Sequence, residues 1–376
     1  MPRYRFEELV YNITEKGMPA PGDEKWYIGL EHLDSGSLSV TRWGGDVELT
    51  GQKLVMKKGD ILFGRRNTYL RRVAIAPHDG YFSAHGMIFR AKEERILSEY
   101  LPFFIASDYF MDAAIRISVG SLSPTVNWKT LKELEFEIPE IEEQRKSAAL
   151  LWAAEDTKRA YEELLKQSDE LVKSQFIELF GDPVSNPKHH PVSKLSILGE
   201  LNRGVSKSRP RNKPGLLGGP YPLVQTGEVT AAELYITEYE NTYTEEGLAQ
   251  SKMWPKGTLC ITIAANIAQT AILGFDSCFP DSVVGFIPYD QVTQIYMHYW
   301  FSFFQKILEE QAPQVAQKNI NLKILSELDV MVPAMELQNQ FDQIVHQLDK
   351  SKFELKESIA NITALMKSLM QQDFSN

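Results

Sequence analysis

The chain has 376 residues, enough for two or three domains that each bury a core of their own. With 43% hydrophobic and 24% charged residues it has the composition of a soluble globular protein, and its apolar runs are too short to span a bilayer. The start, MPRYRFEELV, lacks the apolar stretch of a secretory signal, so the chain is expected in the cytoplasm; its net charge of −10 counts against a nucleic-acid partner only if that charge is spread evenly.

Residues 1–135 read as a mixed α/β unit. The short apolar runs within Gly59–Gly64 and Arg72–Ala76 are flanked by Gly, Asp, Asn or Pro, which predicts strands joined by tight turns. Between them lies RRNTYLRR. Arginine forks onto guanine, asparagine onto adenine, and further cations neutralise phosphates. Lys57, Arg65, Arg66, Asn67, Thr68, Tyr69, Arg71 and Arg72 are therefore the first candidate DNA-contacting set, against the alternative of a solvated basic hairpin. Ser98–Ala114 predicts a core-facing helix in which Pro102 is tolerable only in the first turn. Ile117–Trp128 is a Gly/Ser/Pro loop, either a DNA contact or a connector.

From about Glu140 the pattern changes. Tyr161, Leu165, Ser168, Val172, Phe176 and Leu179 recur at steps of four and three, the seam of a helix that packs on another long helix. Gly181 and Pro183 end it, and at roughly 1.5 Å per residue the helix is about 60 Å long. Trp152 on this helix is either core or a surface for a protein partner.

Pro183–Pro191 is a proline-rich link. Its adjacent His189 and His190 do not converge on one metal, so an exposed pair is expected. Asn202–Thr230 opens as a basic, turn-rich loop with Lys207, Arg209, Arg211 and Lys213, then enters a strand that presents Gln225 and Thr226 at its end. Glutamine suits an adenine edge; the competing reading is a plain loop-to-strand join. Lys256–Thr262 mirrors Lys58–Gly64, and Ala264–Ala271, with Gln269, stands where the first unit has its basic octet. Gln311–Asn321, with Lys318 and Asn319, is the amide-rich counterpart of the loop at 117–128. Phe341, Val345, Leu348, Leu355, Ile359, Ile362, Met366 and Leu369 form a second helical seam, with Lys352 in the one missing slot.

The chain is a tandem repeat. NWKTLKELEFEIPEIEEQ (127–144) aligns without a gap to NLKILSELDVMVPAMELQ (321–338), with eight of eighteen positions identical. Charge is partitioned on the same plan: Glu140–Asp182 has eleven acids against six bases, and Ala334–Asn376 six against four. By contrast Gly51–Arg72 has seven bases and one acid, and Leu201–Lys213 five bases and no acid. Two basic heads on acidic rods are a plan for touching DNA in two places, with the paired helices as a ruler.

Signatures of catalysis are missing. The sequence has no glycine-rich S-adenosylmethionine loop, no phosphate-binding G-x-x-x-x-G-K-[ST], and Asn186-Pro187-Lys188 lacks the second proline and the aromatic of an adenine-methylase loop. Asp349, Glu354 and Lys356 have the chemistry of a Mg²⁺ site but fall on the second seam, where charged faces are expected. Cys260 and Cys278 lie in no His/Cys cluster and are expected to be buried bystanders. No cofactor and no metal are expected.

GDILF followed by RRVAI, GGPYPLVQTGE, the repeated N-x-K-x-L-x-E-L and P-x-x-E-x-Q, and LVKSQFIELFGDP together resemble the specificity subunit of type I restriction-modification systems. The resemblance covers nearly the whole chain. It implies an α/β (α+β) fold class: two similar mixed α/β target-recognition domains separated by a long antiparallel two-helix coiled coil, related by a pseudo-two-fold repeat. The expected boundaries are a first target-recognition domain at 1–139, a central helical spacer at 140–182, a second recognition domain at 183–333 and a C-terminal spacer at 334–376. It implies a non-catalytic subunit that reads a bipartite site in double-stranded DNA, clasped by two methyltransferase (modification) subunits and joined by restriction subunits. The alternatives are a helical scaffold whose heads bind protein, and a self-contained recognition-fused nuclease or methyltransferase.

Overall fold

The computed structural model describes residues 1–45, 49–208, 210, 213–264, 267–304, 307 and 320–373. Arg209, Arg211, Lys318 and Asn319 of the candidate set, and most of Gln311–Asn321, lie outside the described residues.

The chain forms two compact units. One is made of residues 1–163 with 355–376, the other of 164–354. In the first, a four-stranded antiparallel sheet has the order Val10–Ile13, Met87–Ala91, Ile61–Phe63, Val73–Ile75. A second sheet has the order Lys16–Gly17, Lys53–Met56, Gly80–Phe82, Tyr27–Ile28, its last pairing parallel. The other unit repeats the plan. Gly199–Arg203, Val283–Pro288, Leu259–Thr262 and Thr270–Leu273 take the same order, extended by Tyr235–Ile236. The expected strands at 59–64 and 72–76 are thus the two arms of one hairpin, and 259–262 with 270–273 is its counterpart.

Each unit is closed by the same short ribbon. Arg3–Arg5 pairs antiparallel with Glu135–Glu137, and Val192–Lys194 with Asp329–Met331. The glutamines that the aligned segments share, Gln144 and Gln338, make equivalent bonds in the two units. Gln144 is fully buried, accepts from Leu97 N–H at 2.9 Å and donates to the carbonyls of Arg95 and Pro139 at 2.9 and 2.8 Å. Gln338 accepts from Thr293 N–H at 3.0 Å and donates to the carbonyls of Gln291 and Pro333 at 3.0 and 2.8 Å. Each ties the first turn of a long helix to the sheet-bearing part of its unit, and each uses both N–H donors and the oxygen of the amide.

The long helices are Ile141–Phe180 and Met335–Gln372. Each contributes one part to each unit, and within each unit the pairing is antiparallel. In the first, Ser147 near the start of one helix donates to Asp373 just past the end of the other at 2.9 Å. In the second, Phe176 and Phe180 lie against Phe341 at 5.6 and 5.4 Å between ring centroids. Seam positions Val172, Phe176, Phe341, Val345 and Met366 are buried, as the four-three rhythm predicts. Lys352, the polar interruption, is also buried and is ion-paired to Asp169. After Phe180 the chain turns through Gly181 at φ 80°, and Lys188 Nζ donates to the Leu179 carbonyl at 3.0 Å, capping the helix end.

The cores run from the sheets into the helices. Phe6 gathers Phe89, Phe110 and Trp128 within 6 Å, and the same cluster includes Ala148, Leu151 and Met366 from the long helices. Phe176, Phe180, Tyr296, Trp300 and Phe341 are its counterpart in the other unit. The expected helix at 98–114 is two helices, Leu101–Ala106 with Pro102 in its first turn and Asp108–Arg116, divided at Ser107, which caps the second. Cys260 and Cys278 are buried and unpaired by disulfide. Among the described residues no helix is long and apolar enough to cross a membrane.

Candidate nucleic-acid interface

The basic octet is the loop of the first unit's hairpin. Gly64 N–H donates to the Arg72 carbonyl at 2.9 Å, closing the hairpin, and between them Thr68–Leu70 makes one tight turn. Asn67 at φ 52° and Arg71 at φ 49° bracket that turn in the left-handed region, which a local hydrogen-bond network must hold against strain. The network comes from the Gly/Ser/Pro loop at 117–128, for which DNA contact and connector are the two expectations. Asn67 N–H donates to the Pro124 carbonyl at 2.8 Å and Val126 N–H to the Arg65 carbonyl at 3.0 Å. Arg66 bridges Thr125, and Ser123 Oγ donates to Asn67 Oδ1 at 3.1 Å. The loop at 117–126 is therefore part of the same edge, and its Leu122 is 97% exposed. Glycine, serine and proline marked it as a loop, but nothing in those residue types says where it docks.

The octet does not present all its side chains. Thr68 is corrected from the candidate set: it is 1% exposed, its hydroxyl turned inward to donate to the Arg65 carbonyl at 2.9 Å. Arg65 is half-buried, Arg66 exposed and Tyr69 57% exposed. Arg71 is half-buried and pairs with Asp108 and Asp112, each at 2.5 Å. The guanidinium of Arg71 and the ammonium of Lys367, 3.1 Å from its second oxygen, hold the Asp108 carboxyl below the usual range, with the lysine bond the larger influence. Lys57 is exposed on the turn at the far end of the hairpin, where its N–H donates to Asp60 at 2.8 Å. Asp60 is buried and forked by Arg90 at 2.8 and 2.9 Å. Lys57 is thus separated from the octet by the length of the strands.

In the second unit the corresponding loop is closed by Thr262 and Gln269. Thr262 N–H donates to the Gln269 carbonyl at 2.9 Å, and Gln269 N–H donates to Thr262 Oγ1 at 3.1 Å, leaving the glutamine side chain exposed. Gln225 is exposed too, but it precedes a helix, Thr226–Ala231, rather than ending a strand. Its N–H donates to Glu228 at 3.1 Å. Thr226 is half-buried in the first turn of that helix. Lys207 and Lys213 are exposed, the latter 3.9 Å from Glu246. Trp152 packs on Phe103 at 4.9 Å and donates its indole N–H to the Glu99 carbonyl at 2.9 Å, so its role is internal to the first unit. Among the described residues no cluster of His, Cys, Asp and Glu has the form of a metal site.

The family model for the type I restriction modification DNA specificity domain matches residues 20–167 and again 192–364, one copy on each repeat. The chain belongs to that family. Among curated relatives of this type I specificity protein, a specificity subunit assigned to the type I restriction enzyme MjaX of Methanocaldococcus jannaschii is 21% identical over 348 residues, covering 85% of this chain and 79% of that one. The MjaIX specificity subunit of the same organism is 25% identical over 187 residues, 46% of this chain and 42% of that one. Two solved structures share the fold. The type I restriction-modification S subunit from M. genitalium has a TM-score of 0.59 at 14% identity, covering all of this chain and 96% of that one. A chain from a study of complex assembly in the type I system has a TM-score of 0.58 at 20% identity, covering 99% and 97%.

Proposed function

We propose that this type I specificity chain is a non-catalytic reader of a split duplex sequence and an assembly scaffold. In this reading the recognition domains, 1–139 and 183–333, each contact one half of the target. The helical spacers, 140–182 and 334–376, carry two modification subunits, and restriction subunits join them. One observation carries the reading: two copies of one hairpin, on one sheet order, end in loops of unlike chemistry, arginines and tyrosine in one and an exposed glutamine in the other. A duplicated framework with divergent tips is what two readers of two different half-sites require. Exposed Leu150, Leu164, Leu171, Phe353 and Leu365 on the long helices support a protein-binding role for those elements.

The test is to map methylated bases in DNA from cells carrying this chain with its modification subunit. A motif in two parts separated by unspecified bases is the expected outcome; a continuous motif, or no methylation that depends on the chain, overturns the reading. A scaffold whose heads bind protein is separated by replacing Arg65, Arg66, Arg71 and Arg72 together. The reader loses affinity with a shallower salt dependence, whereas such a scaffold has no duplex affinity to lose.

A further inference from the structure

The four arginines of the octet look equivalent in sequence, yet the fold uses them differently. Arg71 turns back from the loop tip: Nη1 lies 2.5 Å from Asp108 Oδ1 and Nη2 lies 2.5 Å from Asp112 Oδ1. The two aspartates are four residues apart on the helix Asp108–Arg116, hence neighbours on one face, and together they clasp one guanidinium. Asp108 is further tied to Lys367 of the second long helix at 3.1 Å. Both terminal nitrogens of Arg71 are thereby engaged by carboxylates, and those carboxylates set a negative field where a phosphate would have to approach. The left-handed backbone of Arg71 also closes the turn that carries Tyr69, since Arg71 N–H donates to the Thr68 carbonyl at 2.9 Å. Arg66 and Tyr69 are placed otherwise. Arg66 is exposed, with one long contact to Ser123 Oγ at 3.4 Å, and Tyr69 stands on the turn with 57% of its surface in solvent.

We infer that Arg71 is a positioning residue, locked to Asp108 and Asp112 so that the loop tip keeps one shape, and that Arg66 and Tyr69 make the contacts with the duplex. This rests on the DNA-reading function proposed above. The arrangement gives the tip the preorganisation that a reading surface needs, because an arginine free to swing would leave the left-handed turn held by fewer bonds. It also predicts an unusual sign. If Arg71 touched phosphate, removing the two aspartates would release it and tighten binding on every sequence; if it positions the tip, removing them weakens binding to the preferred ones.

The experiment titrates the full chain, alone and with its modification subunits, against a randomised duplex pool at several salt concentrations. Arg66→Ala is expected to reduce the slope of log K against log salt by about 1 and to relax preference at one base position. Tyr69→Ala is expected to change the preference with the slope intact. Arg71→Ala is expected to weaken binding about tenfold on the preferred sequences, flattening the preference, with the slope unchanged. Asp108→Asn with Asp112→Asn should weaken it similarly, with no further loss when Arg71→Ala is added, since the three act as one unit. Arg71→Lys should recover part of the loss. Tighter binding by the double aspartate variant with its sequence preference intact, or a unit lost from the slope in Arg71→Ala, overturns the inference. So does wild-type binding that neither Arg66→Ala nor Tyr69→Ala alters. If the wild-type chain binds no duplex in either form, the DNA reading itself fails and this inference with it. Thermal midpoints within a few degrees of wild type exclude misfolding, and Arg66→Ala and Tyr69→Ala, both at exposed positions, keep the test valid if the aspartate variant unfolds.

Discussion

Gln144 and Gln338 show how one side chain, repeated, fixes two junctions. Each amide joins a helix start to two carbonyls and one N–H, and Gln144→Ala or Gln338→Ala leaves the buried ones among them, Leu97 N–H and the carbonyls of Pro139 and Pro333, without a partner. Each substitution is expected to cost about 2–4 kcal/mol, checked by denaturant unfolding. Titration supplies a second prediction at this scale. Burial holds His298 neutral, its pKa pushed down to about 4, with its ring bonded to Thr270 and the Glu233 carbonyl. Burial likewise pushes Asp342 up to about 6, against the Thr293 hydroxyl that donates to it. Between about 4 and 6.5 the unfolded chain takes up the histidine proton that the folded one refuses, so this contribution falls as pH falls. Between about 4 and 6 the folded chain keeps the Asp342 proton that the unfolded one releases, so that contribution falls as pH rises. The two oppose. His298→Gln should therefore expose a loss of stability on raising the pH from 4 to 6. Asp342→Asn should expose a loss on lowering it from 6.5 to 4, each read from unfolding midpoints across pH. The identical glutamines were visible in the alignment of the repeats. Their burial was not, because a polar side chain is as often exposed as enclosed until its partners are known.

At the scale of elements, Lys352 is the informative exception. It takes a seam position where its neighbours are apolar, and its ammonium is paired with a half-exposed aspartate. Replacing such a charge by an apolar residue of similar length is commonly neutral or favourable, whereas removing only the partner leaves a buried cation unpaired. Lys352→Met is thus expected to leave the thermal midpoint unchanged or higher, and Asp169→Ala to lower it, by about 1–3 kcal/mol in unfolding free energy. Equal losses from both changes would show that the pair itself stabilises the helices. The seams were legible because a period of 3.6 residues is imposed by the helix alone. The single helix expected at 98–114 was not correctly bounded. Ser107 and Asp108 interrupt the apolar run, and they are a cap signal: Ser107 is extended and accepts from Phe110 N–H at the start of the second helix.

For the whole molecule, the repeat makes a prediction of its own. Exchanging residues 183–333 for those of another member of the family should replace one half of the methylated motif and leave the other half intact, read by sequencing modified bases. A change in both halves would mean that the units do not read independently. The sequence by itself determined that the chain is duplicated, that two long helices each follow a mixed α/β part, and that basic residues gather in those parts. These are properties of periodicity and composition, which local physics writes directly into the order of residues. Only the tertiary structure decided which members of the basic octet face solvent. Asp108 and Asp112 lie some forty positions beyond Arg71, and Ser123 and Pro124 more than fifty beyond Asn67. A side chain's task is set by which distant partners the fold brings within about 3 Å, and that distance is not encoded in spacing along the chain.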